Sequence, residues 1–215
     1  MVQKEIARRG RPRSYDPQVA LTKALDAFWE AGYAATSLDD LSRATGMNRP
    51  SLYAAFGDKG AIYRKALEHY WADTRSAIAI ALDERRPLRE ALQDFYDRAI
   101  EIYRSGNGRG CFMVGTALTE ALRNPKLRAD LHGSLHGLIR VVTSRIALAQ
   151  SRGEIDAKAD AAELAIIAVA VLDFLAIQAR VGTERKALKA TADAALNTIC
   201  GPRPQQKRRK AQARS

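Results

Sequence analysis

Arg49, Ser51 and Tyr53 fall within one and a half turns of a single short segment, and together they offer the polar groups that read nucleic acid. The guanidinium fork of an arginine matches the O6 and N7 acceptors of guanine in the major groove, and hydroxyl or phenol groups serve base edges or phosphate oxygens. Asn48 directly before them is a residue type that caps helix N-termini, and Pro50 at the second helical position lacks only an N–H that had no intrahelical partner. Leu52 and Phe56 follow at the i, i+4 spacing of a buried stripe, so the polar groups occupy the opposite, outward side. Thr36, Ser37 and Lys59 bracket the segment with two hydroxyls and an ammonium suited to backbone phosphates.

The elements that must hold these groups are equally legible. Ser37 caps a helix whose inward residues are Leu38 and Leu41, Gly46 ends it, and Asn48 starts a second helix running to about Ala55. Two short helices joined by a turn of about three residues match a helix-turn-helix. A purely structural helical hairpin has the same caps and turn, and spacing alone leaves that alternative open. Residues 17 to 31 predict a first helix, with Asp16 as cap, Pro17 at the first position and a stripe of Leu21, Leu25, Phe28 and Gly32. After Lys59 a longer helix is predicted to about Arg85, carrying Ile62, Ala66, Tyr70 and Trp71 and broken before Pro87. Further helices are predicted at 88 to 104, 111 to 122, 126 to 152, 160 to 181 and 184 to 199, separated by Gly106-Asn107-Gly108, Asn124-Pro125, Gly153 and Gly182. There is almost no strand signal and no internal repeat, so the fold class is all-α.

The block from Thr36 to Lys59 resembles the DNA-binding domain of the TetR family of bacterial transcriptional regulators. Thr36, Ser37, Leu38, Asp40, Leu41, Gly46, Leu52, Tyr53, Phe56 and Lys59 occupy the places of that family's pattern. Leu41-Ser42 stands for Ile-Ala, Thr45 for Ala, Met47 for Val, and Pro50 for a residue that is often Gly. The first three departures fall at packing positions, while Pro50 bears on which base edges are reached. At motif strength the resemblance covers about residues 16 to 71. It implies an N-terminal three-helix DNA-binding domain and a C-terminal helical domain for effector binding and dimerisation. The domain plan is then a basic arm at 1 to 15, the helix-turn-helix domain at 16 to 60, a ligand-binding and dimerisation domain at 61 to 200, and a basic tail at 201 to 215.

Charge is distributed unevenly along this plan. The net charge is +11; residues 1 to 13 carry five basic residues against Glu5, residues 203 to 215 carry six basic residues and no acid, and the remainder is close to neutral. Phosphate affinity and its salt dependence should therefore come disproportionately from the two ends. Arg9-Gly10-Arg11-Pro12-Arg13 is an extended, arginine-flanked Gly-Arg-Pro core that resembles the AT-hook, with Arg11 and Arg13 suited to the narrow A·T minor groove. A solubilising tail has the same composition. The Lys207 to Lys210 cluster suits unspecific phosphate attraction.

The last two predicted helices, about 160 to 181 and 184 to 199, suit assembly. The first is apolar almost all round, and the second lines up Leu188, Ala192, Ala195, Leu196 and Ile199. The family resemblance implies that they form a four-helix homodimer interface, which a helix-turn-helix reading a palindrome also requires; completing a monomeric core is the other reading. The middle helices would hold the effector, with Tyr96, Tyr103, Phe112, Met113, Thr116, His132, His136 and Arg140 as candidate lining residues and a small, mainly apolar or aromatic molecule as ligand. Each is also an ordinary core or surface residue type.

Other chemistry is weakly supported. His132 and His136 lie one turn apart, but no Glu follows the first and no third ligand is apparent, so no metal and no other cofactor is assigned. Cys111, between Gly110 and Phe112 at a predicted helix start, is a candidate electrophile or oxidant sensor as well as a small buried hydrophobe. Pairing Cys111 with a histidine as a nucleophile lacks an oxyanion-hole loop or orienting residue, and phosphate-binding glycine loops are missing, so an enzyme is not expected. Only Cys111 and Cys200 are present, the basic, polar N-terminus lacks the apolar core of a signal peptide, and the apolar run Leu164 to Ile177 is interrupted by Asp173 and shorter than the ~20 residues of a bilayer span. The expectation is a cytoplasmic, ligand-responsive repressor of a palindromic operator, with an architectural DNA-binding protein dominated by its basic arms as the alternative.

Overall fold

A computed structural model describes residues 15–203. Among these residues every regular element is helical: α1 (Pro17–Ala31), α2 (Leu38–Thr45), α3 (Arg49–Phe56), α4 (Lys59–Ala81), α5 (Leu88–Gly108), α6 (Leu118–Ala121), α7 (Pro125–Ser151), α8 (Ala161–Arg180) and α9 (Arg185–Cys200), with a π-helical turn, Met113–Ala117, leading into α6. Arg11 and Arg13 of the arm, and the cluster Lys207 to Lys210, lie outside the described residues. The chain divides into two compact units, Met1–Ala72 and Asp73–Ser215, and the division falls inside α4.

The first unit is built on locally encoded caps around an aromatic core. Asp16 accepts from the N–H groups of Gln18 at 2.8 Å and Val19 at 3.4 Å, which satisfies donors that α1 leaves without partners. Phe28 and Trp29 of α1 pack edge-on against Tyr63 and Tyr70 of α4, each pair with ring centroids 5.2 Å apart, a favoured aromatic geometry. Leu41, Leu52, Phe56, Ile62 and Leu67 complete this core, all buried. Of the positions predicted from spacing, Leu25, Phe28, Leu41, Leu52, Phe56, Ile62, Ala66 and Tyr70 are buried, whereas Leu21, Gly32, Leu38 and Trp71 are half-buried.

The second unit packs α5, α7, α8 and α9 against one another, and three boundaries differ from expectation. Helix α4 stops at Ala81, short of Arg85, because Asp83 closes a turn: Asp83 Oδ1 accepts from Arg85 N at 3.0 Å and Asp83 O from Arg86 N at 3.2 Å. The Arg85 guanidinium also binds that carboxylate and holds its pKa at about 2. Helix α5 continues past residue 104 through Gly106 to Gly108. Gly108 and Gly110 both have positive φ, and a Cβ at either would come within 2.7 Å of a carbonyl oxygen of α8, Ala179 O or Ala176 O. Only glycine lets the chain turn against that backbone. The stretch predicted as one helix from 111 to 122 is instead the π-helical turn followed by short α6.

Helix α8 has two apolar sides. Ala165, Ala168, Val169, Leu172, Leu175, Ala176 and Ala179 are buried, while Ile166, Ile167, Phe174 and Ile177 are exposed. At 20 residues the helix is long and apolar enough to cross a membrane by length and composition alone, while the apolar run within it, Leu164 to Ile177, is bounded by Glu163 and Gln178. Its buried stripe rests on α5, α7 and α9, the use a core helix makes of such composition.

Candidate nucleic-acid interface

The start of α2 is fixed by a reciprocal pair. Asp40 N donates to Ser37 Oγ at 3.1 Å and Ser37 N donates to Asp40 Oδ2 at 2.9 Å, a capping box in which Asp takes the role of the usual Glu. Ser37 Oγ also donates to Asp40 Oδ2 at 2.6 Å, and this bond first, then the one from Ser37 N, holds the Asp40 carboxyl below its ordinary pKa. Gly46 ends α2 with φ +71°, in the left-handed region, and Thr45 Oγ1 both donates to Leu41 O at 2.7 Å and accepts from Met47 N at 3.2 Å. Ser42 Oγ donates to Met47 O. Asn48 Oδ1 accepts from Ser51 N at 2.9 Å and starts α3. The turn is thus closed by side chains at every step.

On that frame α3 buries Leu52 and Phe56 and leaves Arg49, Pro50 and Tyr53 exposed, with Ser51 half-buried. The outward side is the one assigned from the sequence. An open depression of about 520 Å³ lies beside it, lined by Asp39, Ser42, Arg43, Gly46, Met47 and Asn48. One participant was missed: Asp39, whose carboxylate binds the Arg49 guanidinium across the two helices. That bond is the first cause of a lowered Asp39 pKa and of a raised Arg49 pKa. The signal available in the sequence was an acid at an outward position of α2, ten residues before the arginine.

The phosphate-facing candidates divide. Ser37 is exposed, but Thr36 is buried and its hydroxyl donates to Gly32 O at 2.7 Å, so this structure gives it an anchoring position and not a free donor. Lys59 Nζ lies 4.5 Å from the Tyr33 ring centroid and donates to Ala34 O at 3.4 Å.

The candidate effector residues do not share one environment. Tyr96 and Phe112 are fully buried, Tyr103 and Thr116 are buried, and Met113 is half-buried. Tyr96 Oη donates to Ala168 O at 3.0 Å, and burial pushes its pKa well above the ordinary phenol value. Thr116 donates to Phe112 O at 2.7 Å. His132, His136 and Arg140 are exposed along α7, the two imidazole centroids 4.1 Å apart; as surface residues they do not line an interior with the other five. No group of three or more metal-ligand side chains converges among the described residues. Cys111 is buried beside Phe112.

Comparison with known proteins joins the two units to one family. Residues 20–66 match the model for bacterial regulatory proteins of the tetR family, and residues 87–195 match that for the tetracyclin repressor-like C-terminal domain. The HTH-type transcriptional repressor ComR of Escherichia coli is 31% identical over 192 residues, covering 87% of this chain and 90% of the relative. The E. coli HTH-type transcriptional repressor BdcR is 34% identical over 116 residues, 53% of this chain and 59% of that protein. A cysteine-substituted form of the TetR family transcriptional regulator CifR, solved with 26 base pairs of double-strand operator DNA, superposes with a TM-score of 0.79 at 34% identity, covering 87% of this chain and 98% of its own. With a capped reading helix in one unit, an all-helical second unit, and family matches along both, the chain belongs to the TetR family of bacterial regulatory proteins and is a helix-turn-helix, DNA-binding transcriptional regulator.

Proposed function

We propose that the protein is a cytoplasmic, homodimeric repressor that holds a palindromic operator through α3 and releases it when a small effector binds the second unit. The observation that carries this is the capped α2–α3 hairpin, which buries Leu52 and Phe56 and turns Arg49, Pro50, Ser51 and Tyr53 outward. In this reading those four residues face the major groove, Ser37 and Lys59 hold the backbone, and Arg11 and Arg13 enter the minor groove. The exposed apolar side of α8, with Phe174 and Ile177, meets the partner subunit together with α9, whose own apolar stripe of Leu188, Ala192, Ala195, Leu196 and Ile199 is already buried within the chain against α5 and α8. The effector is small and mainly apolar or aromatic, since the polar groups among the buried candidates are few and already bonded. Its preference for a dimer geometry that cannot span both half-sites would supply the switch, with α4 carrying the change. No catalytic role or cofactor is assigned.

The concentration of charge at the ends supports a second reading, an architectural protein whose arms dominate. Two variants separate them when binding is measured on a selected operator and on random duplex. Under the repressor reading, Arg49→Ala lowers discrimination between the two by about 5- to 150-fold. Deleting residues 1 to 13 weakens both and flattens the salt slope. An Arg49→Ala protein with unchanged discrimination, beside an arm deletion that no longer binds, would establish the architectural reading instead.

A further inference from the structure

Arg49 is not a free cation at the mouth of α3. Its Nε donates to Asp39 Oδ1 at 2.6 Å and its Nη2 to Asp39 Oδ2, a two-pronged bond from α3 to α2. Both side chains are more than half exposed, at 54% and 59%, where ion pairs contribute little stability. A carboxylate on this face also repels phosphates, so neither stability nor general DNA affinity accounts for it. Geometry offers another role. A guanidinium has five N–H donors, and the bond to Asp39 uses Nε and one hydrogen of Nη2. What remains is the end-on edge, Nη1 with the second Nη2 hydrogen, which is a two-donor edge that matches guanine O6 and N7.

We propose that Asp39 is a specificity-determining residue: it fixes the rotation of the Arg49 guanidinium so that the end-on edge reads one guanine in each operator half-site. The inference rests on the DNA-reading function proposed above. Both anchors are themselves fixed, Asp39 by the Ser37–Asp40 capping box in the first turn of α2 and Arg49 by the Asn48 cap in the first turn of α3. A long, flexible side chain thereby reaches DNA with its rotamer already chosen, which lowers the ordering cost of the contact. Lysine at residue 49 could not replace it, because one ammonium lacks two separate donor edges.

The test is selection of randomised duplex DNA by the full-length native protein, Asp39→Ala, Arg49→Ala and the double variant, with a thermal melt of each. The native protein should enrich a palindrome with a required guanine in each half-site. Arg49→Ala should flatten preference at that base by about 5- to 150-fold, Asp39→Ala should flatten the same base and leave other positions intact, and the double variant should match Arg49→Ala. Unchanged melting temperatures would place the effect on recognition and not on folding. The inference is overturned if Asp39→Ala keeps the guanine and binds every sequence more tightly, since the carboxylate then only competes with DNA, or if it alters no position. A palindrome without an Arg49-dependent guanine sinks this inference alone. Enrichment of no palindrome by the native protein sinks the DNA-reading function as well.

Discussion

Residues 36–59 expose most of their candidate functional groups, whereas within residues 88–151 the candidates on α5 and around the π-helical turn are buried or half-buried and only those on α7 are exposed. In the first stretch Arg49, Pro50 and Tyr53 stand in solvent on helices whose ends are closed by Ser37, Gly46 and Asn48. In the second, Tyr96, Phe112 and Thr116 are inside the helical core, and Tyr96 and Thr116 spend their hydroxyls on the carbonyls of Ala168 and Phe112. A surface that reads DNA is convex and separable from packing. A ligand chamber is made from the packing itself. Substitutions in the first region should therefore change recognition with little effect on folding, whereas those in the second should change folding before they reveal function.

The largest expected effect lies in the second region. Tyr96→Ala should cost about 3–5 kcal/mol of unfolding free energy, as large-to-small core changes do, measured by chemical denaturation. Tyr96→Phe keeps the ring and removes only the bond to Ala168 O, a loss of about 1 kcal/mol. If Tyr96→Phe abolishes effector response at this small cost, the phenol contacts ligand and the contrast between the regions softens.

Asp173 should give an effect of opposite sign. Burial alone pushes its carboxyl up to about 6 from the model-compound value of 3.8. The folded state therefore binds this proton more tightly than the unfolded state. Its ionisation penalty is absent below the unfolded value, grows as pH rises between the two values and is complete above about 6. Asp173→Asn should accordingly raise stability at pH 7–8 by up to about 3 kcal/mol and leave it nearly unchanged at pH 4, as read from melts at both pH values. A stabilisation equal at both would mean that the charge is not the cause.

Smaller effects return to the reading unit. Ser37→Ala removes an acceptor for Asp40 N and should cost about 1 kcal/mol, visible as a lower denaturation midpoint without a change of base preference. A changed preference would show that Ser37 reaches a base edge and does more than cap α2 and hold the DNA backbone. Cys111→Ser should be the smallest in its effect on DNA affinity, and the buried Cys111 thiol should react slowly with alkylating reagents in the native protein. Fast alkylation that releases DNA would restore the sensor role.

The expectations that held were those set by neighbours in sequence. Asp16, Ser37 and Asn48 cap the helices that follow them, and a cap needs only a short polar side chain two or three residues from the N–H it serves. Boundaries set by distant contacts were misplaced. In the sequence Gly106 and Gly108 read as a break, yet α5 runs through to Gly108, where the absence of a Cβ lets the chain approach Ala179 O on α8. The π-helical turn at Met113–Ala117 carried no local signal, and the exposed positions of His132, His136 and Arg140 followed from which face of α7 is covered.

The sequence by itself determined the helical class, the capped hairpin and the outward side of α3, because each depends on residue spacing along one chain segment. Tertiary structure alone decided that Asp39 meets Arg49, that Thr36 is sealed inside and that Tyr96 bonds α8. The Asp39–Arg49 and Tyr96–Ala168 contacts join residues whose separation in sequence has no fixed relation to their separation in space, and the burial of Thr36 depends likewise on how whole helices pack.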